Sequence, residues 1–100
     1  MAQRIRRWRV LWTEPARDDL REVFRFIQRD NPTAAQKVTR EIQEKVGRLA
    51  QFPLSGREVP ELSGAGLREV IVGHYRVIYR LVGNTVEILT VIHSRRKVGE

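Results

Sequence analysis

Cysteine is absent from this 100-residue chain. Its absence excludes disulfides and thiolate-bound zinc as sources of stability, and it suits a reducing cytosol. No apolar run approaches the roughly 18 residues that a membrane-spanning helix needs. The arginine-rich N-terminus also lacks the apolar segment and the small-residue cleavage site of a signal peptide. We therefore expect a cytoplasmic protein with no membrane partner.

Histidine is nearly as scarce, which limits the chemistry to be expected. Only His74 and His93 occur, with no local nucleophile–base arrangement and no ligand spacing that would complete a metal site. Gly64-Ala65-Gly66 is too short for a phosphate-binding loop and precedes a strand rather than a helix. Each histidine taken alone is more typical of a surface or strand-end position. The sequence thus predicts no metal and no cofactor.

Aromatic side chains are also few, at 7% of the chain. Most of them fall at positions expected in the core, and Trp8 and Trp12 are expected there or over an edge of the sheet. Proteins that bind single-stranded nucleic acid without sequence preference stack bases on exposed aromatics. A general nucleic-acid binder is therefore disfavoured.

Positive charge is abundant. Nineteen Lys and Arg against twelve Asp and Glu give a net charge of +7, which favours acidic partners such as nucleic acid, a nucleoprotein machine or an acidic protein segment. Sixteen of the nineteen cations are arginine, the residue best suited to bidentate contacts with phosphate or carboxylate.

The first half of the chain predicts one strand and two helices. Bulky apolar residues alternate from Trp8 to Trp12, as in a strand. Apolar residues then recur at helical spacing over 16–27, after an N-cap at Thr13 or Glu14. A second helical pattern follows Asn31-Pro32, which supply its N-cap and first position. Two helices so tightly joined predict an antiparallel helical hairpin.

The second half predicts a loop and three strands. Residues 53–66 are rich in Gly, Pro and Ser, as in a loop. Strands are expected at 67–72, 75–82 and 85–93, separated by tight turns at Gly73-His74 and Gly83-Asn84.

These elements predict an α+β fold of order β-α-α-β-β-β in a single domain of residues 1–100, with a basic N-terminal tail at about 1–7. The N-terminal strand and the meander would form an antiparallel sheet with the helical hairpin packed on one face. The other face, where Arg76 and Arg80 are expected to point, would be left for partners.

Arginines near the meander are the best candidates for a binding site. Arg68 opens one predicted strand, Arg76 lies in the next, and Arg95 and Arg96 follow the last. Since these elements are neighbours in a meander, the four guanidinium groups could converge on one polyanionic target, with Arg80 beside them. A merely solvated sheet face is the alternative for any single arginine, but like charges side by side cost stability, which favours a functional cluster.

Taken in order, pieces of the sequence resemble the RelE/ParE toxin superfamily over about residues 10–96. Their order and spacing carry the resemblance, since no single piece is specific. The pieces are Thr13-Glu14-Pro15-Ala16, Asp19-Leu20, Asn31-Pro32-Thr33-Ala34-Ala35, Leu-x-x-Phe-Pro-x-Ser-Gly at 49–56, Leu67-Arg68, Tyr-Arg-Val-Ile-Tyr-Arg at 75–80 and Val-Ile-His-Ser-Arg-Arg at 91–96.

The resemblance implies a growth-inhibiting toxin that is neutralised by a cognate antitoxin encoded beside it. In such pairs the antitoxin's C-terminal segment wraps the toxin, usually along apolar grooves of the helical hairpin, and its N-terminal domain binds operator DNA. The toxin would then meet operator DNA only through the antitoxin. The net charge of +7 would steer an acidic antitoxin segment to this surface.

One branch of the superfamily, the RelE-like toxins, cuts mRNA in the ribosome. By resemblance, Arg76 and Arg96 match arginines of that nuclease, Arg68 would replace one of its lysines, and His93 stands where some relatives use histidine. Against this, residues 69–71 do not supply the lysine pair, and no tyrosine follows the last strand.

The ParE-like branch lacks that nuclease set and poisons DNA gyrase. The His-Ser-Arg-Arg ending at 93–96 and the Phe-Pro-x-Ser-Gly loop look more like this branch. We therefore favour a non-enzymatic gyrase poison, with Arg68, Arg76, Arg80, Arg95 and Arg96 as target contacts. The alternatives are a metal-independent, ribosome-dependent mRNA endoribonuclease, and an inactive relative that keeps only its antitoxin contact.

Overall fold

The computed structural model describes residues 7–99. The predicted basic tail therefore lies outside the described residues except for Arg7. The elements are β1 (Arg9–Trp12), α1 (Glu14–Gln28), α2 (Pro32–Gly47), β2 (Arg57–Glu58), β3 (Arg68–Val72), β4 (Tyr75–Val82) and β5 (Thr85–His93). Single 3-10 turns at Arg48–Ala50 and Pro60–Leu62 complete the chain path.

Both helices begin where the sequence predicts. The Thr13 hydroxyl accepts a hydrogen bond from the Ala16 N–H at 3.4 Å and donates to the Ile88 carbonyl at 2.6 Å, so the cap of α1 also ties the helix to β5. The Asn31 side chain accepts from the Ala34 N–H at 3.0 Å and caps α2. Neither helix is long and apolar enough to cross a membrane, as judged from the described part of the chain.

The α+β architecture is confirmed, with five strands in the order β1-β5-β4-β3-β2. The three predicted C-terminal strands form an antiparallel meander. One detail differs from expectation, because β1 pairs with β5 in parallel and the sheet is mixed. Alternating apolar residues reveal a strand but not its direction, and β1 reaches the sheet through the helical hairpin rather than through a tight turn that would force antiparallel pairing.

The predicted loop 53–66 contains more structure than expected. Its residues Arg57–Glu58 form β2, which pairs antiparallel with β3 and adds a fifth strand at the sheet edge. The run is too short to show an alternating pattern, so the composition alone predicts a loop.

The core lies between the helical hairpin and one face of the sheet. Its buried members come from both helices, the turn that follows them and three strands. Trp8, Val10 and Trp12 of the N-terminal segment pack against it, as their shared face predicts. The largest buried aromatic is Tyr79, with 0% of its surface exposed.

The opposite face of the sheet is only partly open. Ile78 and Arg76 on that face are 1% and 6% exposed, and Glu69 is 1% exposed. The side chain of Glu61, in the turn before β3, reaches Arg76, so the loop folds over this part of the face. The expectation of a face left free for partners thus holds near Arg80, which is exposed, but not at Arg76.

Candidate functional site

Arg76 lies at the centre of the most connected polar cluster in the described residues. A guanidinium has five N–H groups, and all five of its donors find acceptors. Nε and Nη2 donate to Oε1 of Glu69, Nη1 and Nη2 donate to the two carboxylate oxygens of Glu61 at 2.7 Å each, and Nη1 also donates to the Arg96 carbonyl at 2.8 Å. With its side chain 7% exposed, Arg76 has no donor left for a target.

Each carboxylate beside Arg76 also accepts a hydrogen bond from a second residue. Glu69 accepts from Arg57 through its second oxygen, Oε2, at 2.7 Å. Glu61 also accepts a hydrogen bond from the Val98 N–H at 3.0 Å. The hydrogen bonds from Arg76 and then from Val98 lower the pKa of Glu61 to about 2, and those same carboxylates raise the pKa of Arg76. The contacts therefore form a series of alternating charges, Arg57, Glu69, Arg76 and Glu61, which ends at the Val98 N–H.

Residues 94–98, which we call the C-terminal turn, are held by this cluster and by the sheet. The Ser94 N–H donates to the His74 carbonyl at 2.7 Å, and the Arg96 N–H donates to the His93 carbonyl at 2.9 Å. The Arg96 carbonyl is fixed by Arg76. The side chains of Arg95 and Arg96 remain exposed, so the turn presents two guanidinium groups on a fastened backbone.

A cleft of about 520 Å³ lies beside the C-terminal turn, between α1 and the end of β5. His93 and Arg96 both line it. The His93 ring stacks on His74 with centroids 6.1 Å apart and meets the Tyr75 ring edge-on at 5.8 Å. The structure therefore brings His93 and Arg96 to one cleft, as joint action of these two side chains in mRNA cleavage would require.

Asp19, the carboxylate of α1 that lines this cleft, is already engaged. It accepts hydrogen bonds from the Thr90 hydroxyl and from the Val91 N–H. Its role visible in the structure is to hold α1 against β5.

The structure separates the other two predicted arginines from this site. Arg68 pairs with Tyr79 and Arg76 with Ile71 across β3 and β4, so alternation places Arg68 and Arg76 on opposite faces of the sheet. Arg68 donates instead to the carbonyls of Leu54 and Gly56, at 3.3 and 2.8 Å.

Arg80 shares its face with Arg76 but lies four residues along β4, roughly 13 Å away at strand spacing. It forms an ion pair with Glu87 at 2.6 Å. The five predicted arginines therefore do not form one site: Arg95 and Arg96 are presented together, Arg76 lies beneath them, and Arg68 and Arg80 lie elsewhere.

The two carboxylate partners of Arg76, Glu61 and Glu69, were not identified from the sequence. A signal existed for Glu69, because a carboxylate in a β-branched strand next to the Arg76 strand suggests a cross-strand ion pair. Glu61 lies in a Gly- and Pro-rich loop without periodicity, so its approach to Arg76 depends on tertiary folding. No cluster of three or more metal-binding side chains occurs within residues 7–99.

Comparison with known proteins gives matches over nearly the whole chain. Residues 10–98 match the family described as the ParE toxin of the type II toxin-antitoxin system, parDE. The Y4kP protein of Sinorhizobium fredii is 37% identical over 93 residues, covering 91% of this chain and 93% of that protein. The toxin ParE3 of Caulobacter vibrioides is 36% identical over 93 residues, covering 91% of each.

A solved structure shares the fold. A chain of the chromosomal ParDE toxin–antitoxin system from P. aeruginosa superposes with a TM-score of 0.76 at 23% identity, covering 88% of this chain and 97% of that one.

Proposed function

We propose that this chain, which belongs to the ParE toxin family of type II toxin–antitoxin systems, inhibits DNA gyrase in the cytoplasm and is neutralised by a cognate antitoxin. The target contact would be made by Arg95 and Arg96 of the C-terminal turn. The family supports the toxin role, and the geometry of the turn supports the contact.

One observation carries the choice between gyrase inhibition and mRNA cleavage. Every N–H of the Arg76 guanidinium is bound within the protein, whereas mRNA cleavage, by resemblance to the RelE-like toxins, would use this arginine. Freeing it would leave the buried Glu69 carboxylate short of a partner, which is costly. Arg95 and Arg96, by contrast, are exposed and can contact an anionic surface without breaking these bonds.

The antitoxin is expected to be acidic and to bind an apolar groove on the helical hairpin. A groove of about 340 Å³ lies between the helices and the β3–β4 turn, and Phe26, Ile27, Val38 and Tyr75 line it. Phe26 is 67% exposed at its rim, so it adds an accessible apolar surface to the groove. An antitoxin segment with apolar anchors and flanking acidic residues fits this groove and the net charge of +7. Operator DNA would be bound through the antitoxin alone.

The proposal is tested with purified gyrase in a supercoiling assay. We expect the wild-type chain to inhibit supercoiling. The double variant Arg95→Ala/Arg96→Ala should need a protein concentration at least roughly tenfold higher for the same inhibition, because charge-assisted contacts are lost. The matched control is Arg17→Ala/Arg40→Ala, which removes the same charge from exposed helix positions. Wild-type protein that leaves supercoiling unchanged, at a concentration that saturates its antitoxin, contradicts the proposal.

The second candidate function is ribosome-dependent mRNA cleavage. It is favoured by one observation, the shared cleft of His93 and Arg96. Cleavage of mRNA in a purified translation system, lost in His93→Ala, would establish it. If inducing the chain without its antitoxin slows neither DNA nor protein synthesis, the chain is an inactive relative that keeps only its antitoxin contact.

A further inference from the structure

The C-terminal turn is fastened by a side chain that lies far away in sequence. Glu61, in the 3-10 turn Pro60–Leu62, accepts a hydrogen bond from the Val98 N–H across 37 positions. The turn follows the last strand, so no ladder partner satisfies this N–H. Glu61 thus supplies an acceptor that neither the sheet nor the turn itself provides.

Glu61 also holds the second anchor of the turn in place. Its two carboxylate oxygens bind Nη1 and Nη2 of Arg76 at 2.7 Å each. That same Nη1 donates to the Arg96 carbonyl at 2.8 Å. The bidentate pair therefore orients the guanidinium edge that fixes the backbone of Arg96.

Glu69 cannot replace Glu61 in this role. It binds the adjacent edge of Arg76, through Nε and Nη2, and its second oxygen binds Arg57. Without Glu61, Arg76 would keep its bonds to Glu69 and to the Arg96 carbonyl. The Val98 N–H would lose its acceptor, and Nη1 and Nη2 of Arg76 would each lose one. Removing Glu61 would thus weaken the attachment of the C-terminal turn more than it weakens the sheet.

We propose that Glu61 is a positioning residue, which holds the C-terminal turn so that Arg95 and Arg96 are presented together to the toxin's target. The target part of this statement rests on the proposed function. The fastening of the turn by Glu61 does not depend on what the target is.

Limited proteolysis with trypsin tests the fastening by itself. Trypsin cleaves after arginine and lysine, and cleavage after Arg95, Arg96 or Lys97 requires the turn to leave its anchors. We expect about tenfold faster cleavage there in Glu61→Ala than in wild type, because hydrogen bonds to charged groups are lost. Cleavage elsewhere should be unchanged. Glu61→Gln keeps an acceptor for the Val98 N–H and should be cleaved at an intermediate rate.

Glu58→Ala is the matched control. Glu58 belongs to the same loop, and its carboxylate accepts from the Gly64 N–H at 2.6 Å. It thus holds the loop rather than the C-terminal turn, so this variant should keep the wild-type cleavage rate at Arg95 and Arg96. Equal cleavage of Glu61→Ala and wild type would overturn the positioning role.

The supercoiling assay then tests the consequence. Glu61→Ala should lose about as much gyrase inhibition as Arg95→Ala/Arg96→Ala, with antitoxin affinity unchanged and partial rescue in Glu61→Gln. If the turn loosens but inhibition is unaffected, positioning for the target is refuted. If wild-type protein itself does not inhibit gyrase, the proposed function fails. The proteolysis result would still show whether Glu61 holds the C-terminal turn in place.

Discussion

The hydroxyl of Tyr79 accepts a hydrogen bond from the Gly56 N–H at 2.9 Å and donates to the Pro53 carbonyl at 2.8 Å. Burial of this phenol raises its pKa. The Phe-Pro-x-Ser-Gly loop is therefore anchored in the core by one side chain of β4. The glycine is required by space, because a Cβ atom at position 56 would lie 2.4 Å from the Tyr79 hydroxyl and 2.7 Å from the Glu69 carbonyl.

Gly56→Ala should therefore destabilise the protein by about 1–3 kcal/mol, the usual cost of overpacking a core. The matched control is Gly47→Ala at the end of α2, where nothing lies within 4 Å of an added Cβ. Gly47 has helical backbone angles, so this change should be neutral or stabilise by up to about 1 kcal/mol. Denaturant unfolding measures both, and equal free energies of unfolding for the two variants would contradict the packing argument.

Tyr79→Phe removes the same anchor without a clash. The Gly56 N–H and the Pro53 carbonyl would each lose a partner, at a cost of about 1–3 kcal/mol. Tyr75→Phe, on the same strand and face, serves as the comparison, since its ring contacts His93 at an edge. A similar loss of stability in both variants would show that the phenol of Tyr79 has no special role.

Arg76 and Arg80 offer a direct contrast between a buried and an exposed ion pair. Arg76→Ala leaves Glu69 and Glu61 without their main partner and should cost about 3–5 kcal/mol, toward the lower end because Arg57 still pairs with Glu69. Arg80→Ala breaks a pair whose arginine side chain is 53% exposed and should cost about 0–1 kcal/mol. Equal unfolding midpoints for Arg76→Ala and Arg80→Ala would show that the buried cluster does not stabilise the fold.

The lowered pKa of Glu61, about 2 against an ordinary value of 4.5, makes stability depend on pH. A depressed carboxyl pKa means that the folded state holds the charged form, so its contribution is complete above about pH 4.5 and is lost as the pH falls toward 2. The difference in unfolding free energy between wild type and Glu61→Gln should shrink across that window. A difference that stays constant from pH 5 to pH 2 would exclude the coupling.

Phe26 provides a test of the antitoxin groove. Phe26→Glu places a charge at the rim of the apolar groove and should weaken antitoxin binding by roughly tenfold or more without unfolding the chain, because the side chain is already 67% exposed. Phe52→Glu is the control, since Phe52 is similarly exposed at 61% and does not line that groove. Calorimetric titration with the antitoxin distinguishes them, and equal weakening would move the docking surface elsewhere.

The amino-acid sequence determined most of the local structure. Threonine and asparagine at positions 13 and 31 cap the two helices. Strand-forming residues and the turns between them predict the three C-terminal strands to within one residue. These features depend on neighbouring residues alone, so helical and strand periodicity reveal them. The resemblance to RelE/ParE toxins was confirmed by the family match over residues 10–98.

Tertiary structure alone decided how strands and charges are combined. The parallel pairing of β1 with β5 and the burial of Arg76 between Glu61 and Glu69 join residues far apart in the chain. An arginine on a strand has the same sequence pattern whether it faces solvent or two carboxylates. The loop folds over Arg76 and leaves Arg80 exposed. Because a buried charge without a partner is costly, the buried Arg76 is paired with carboxylates.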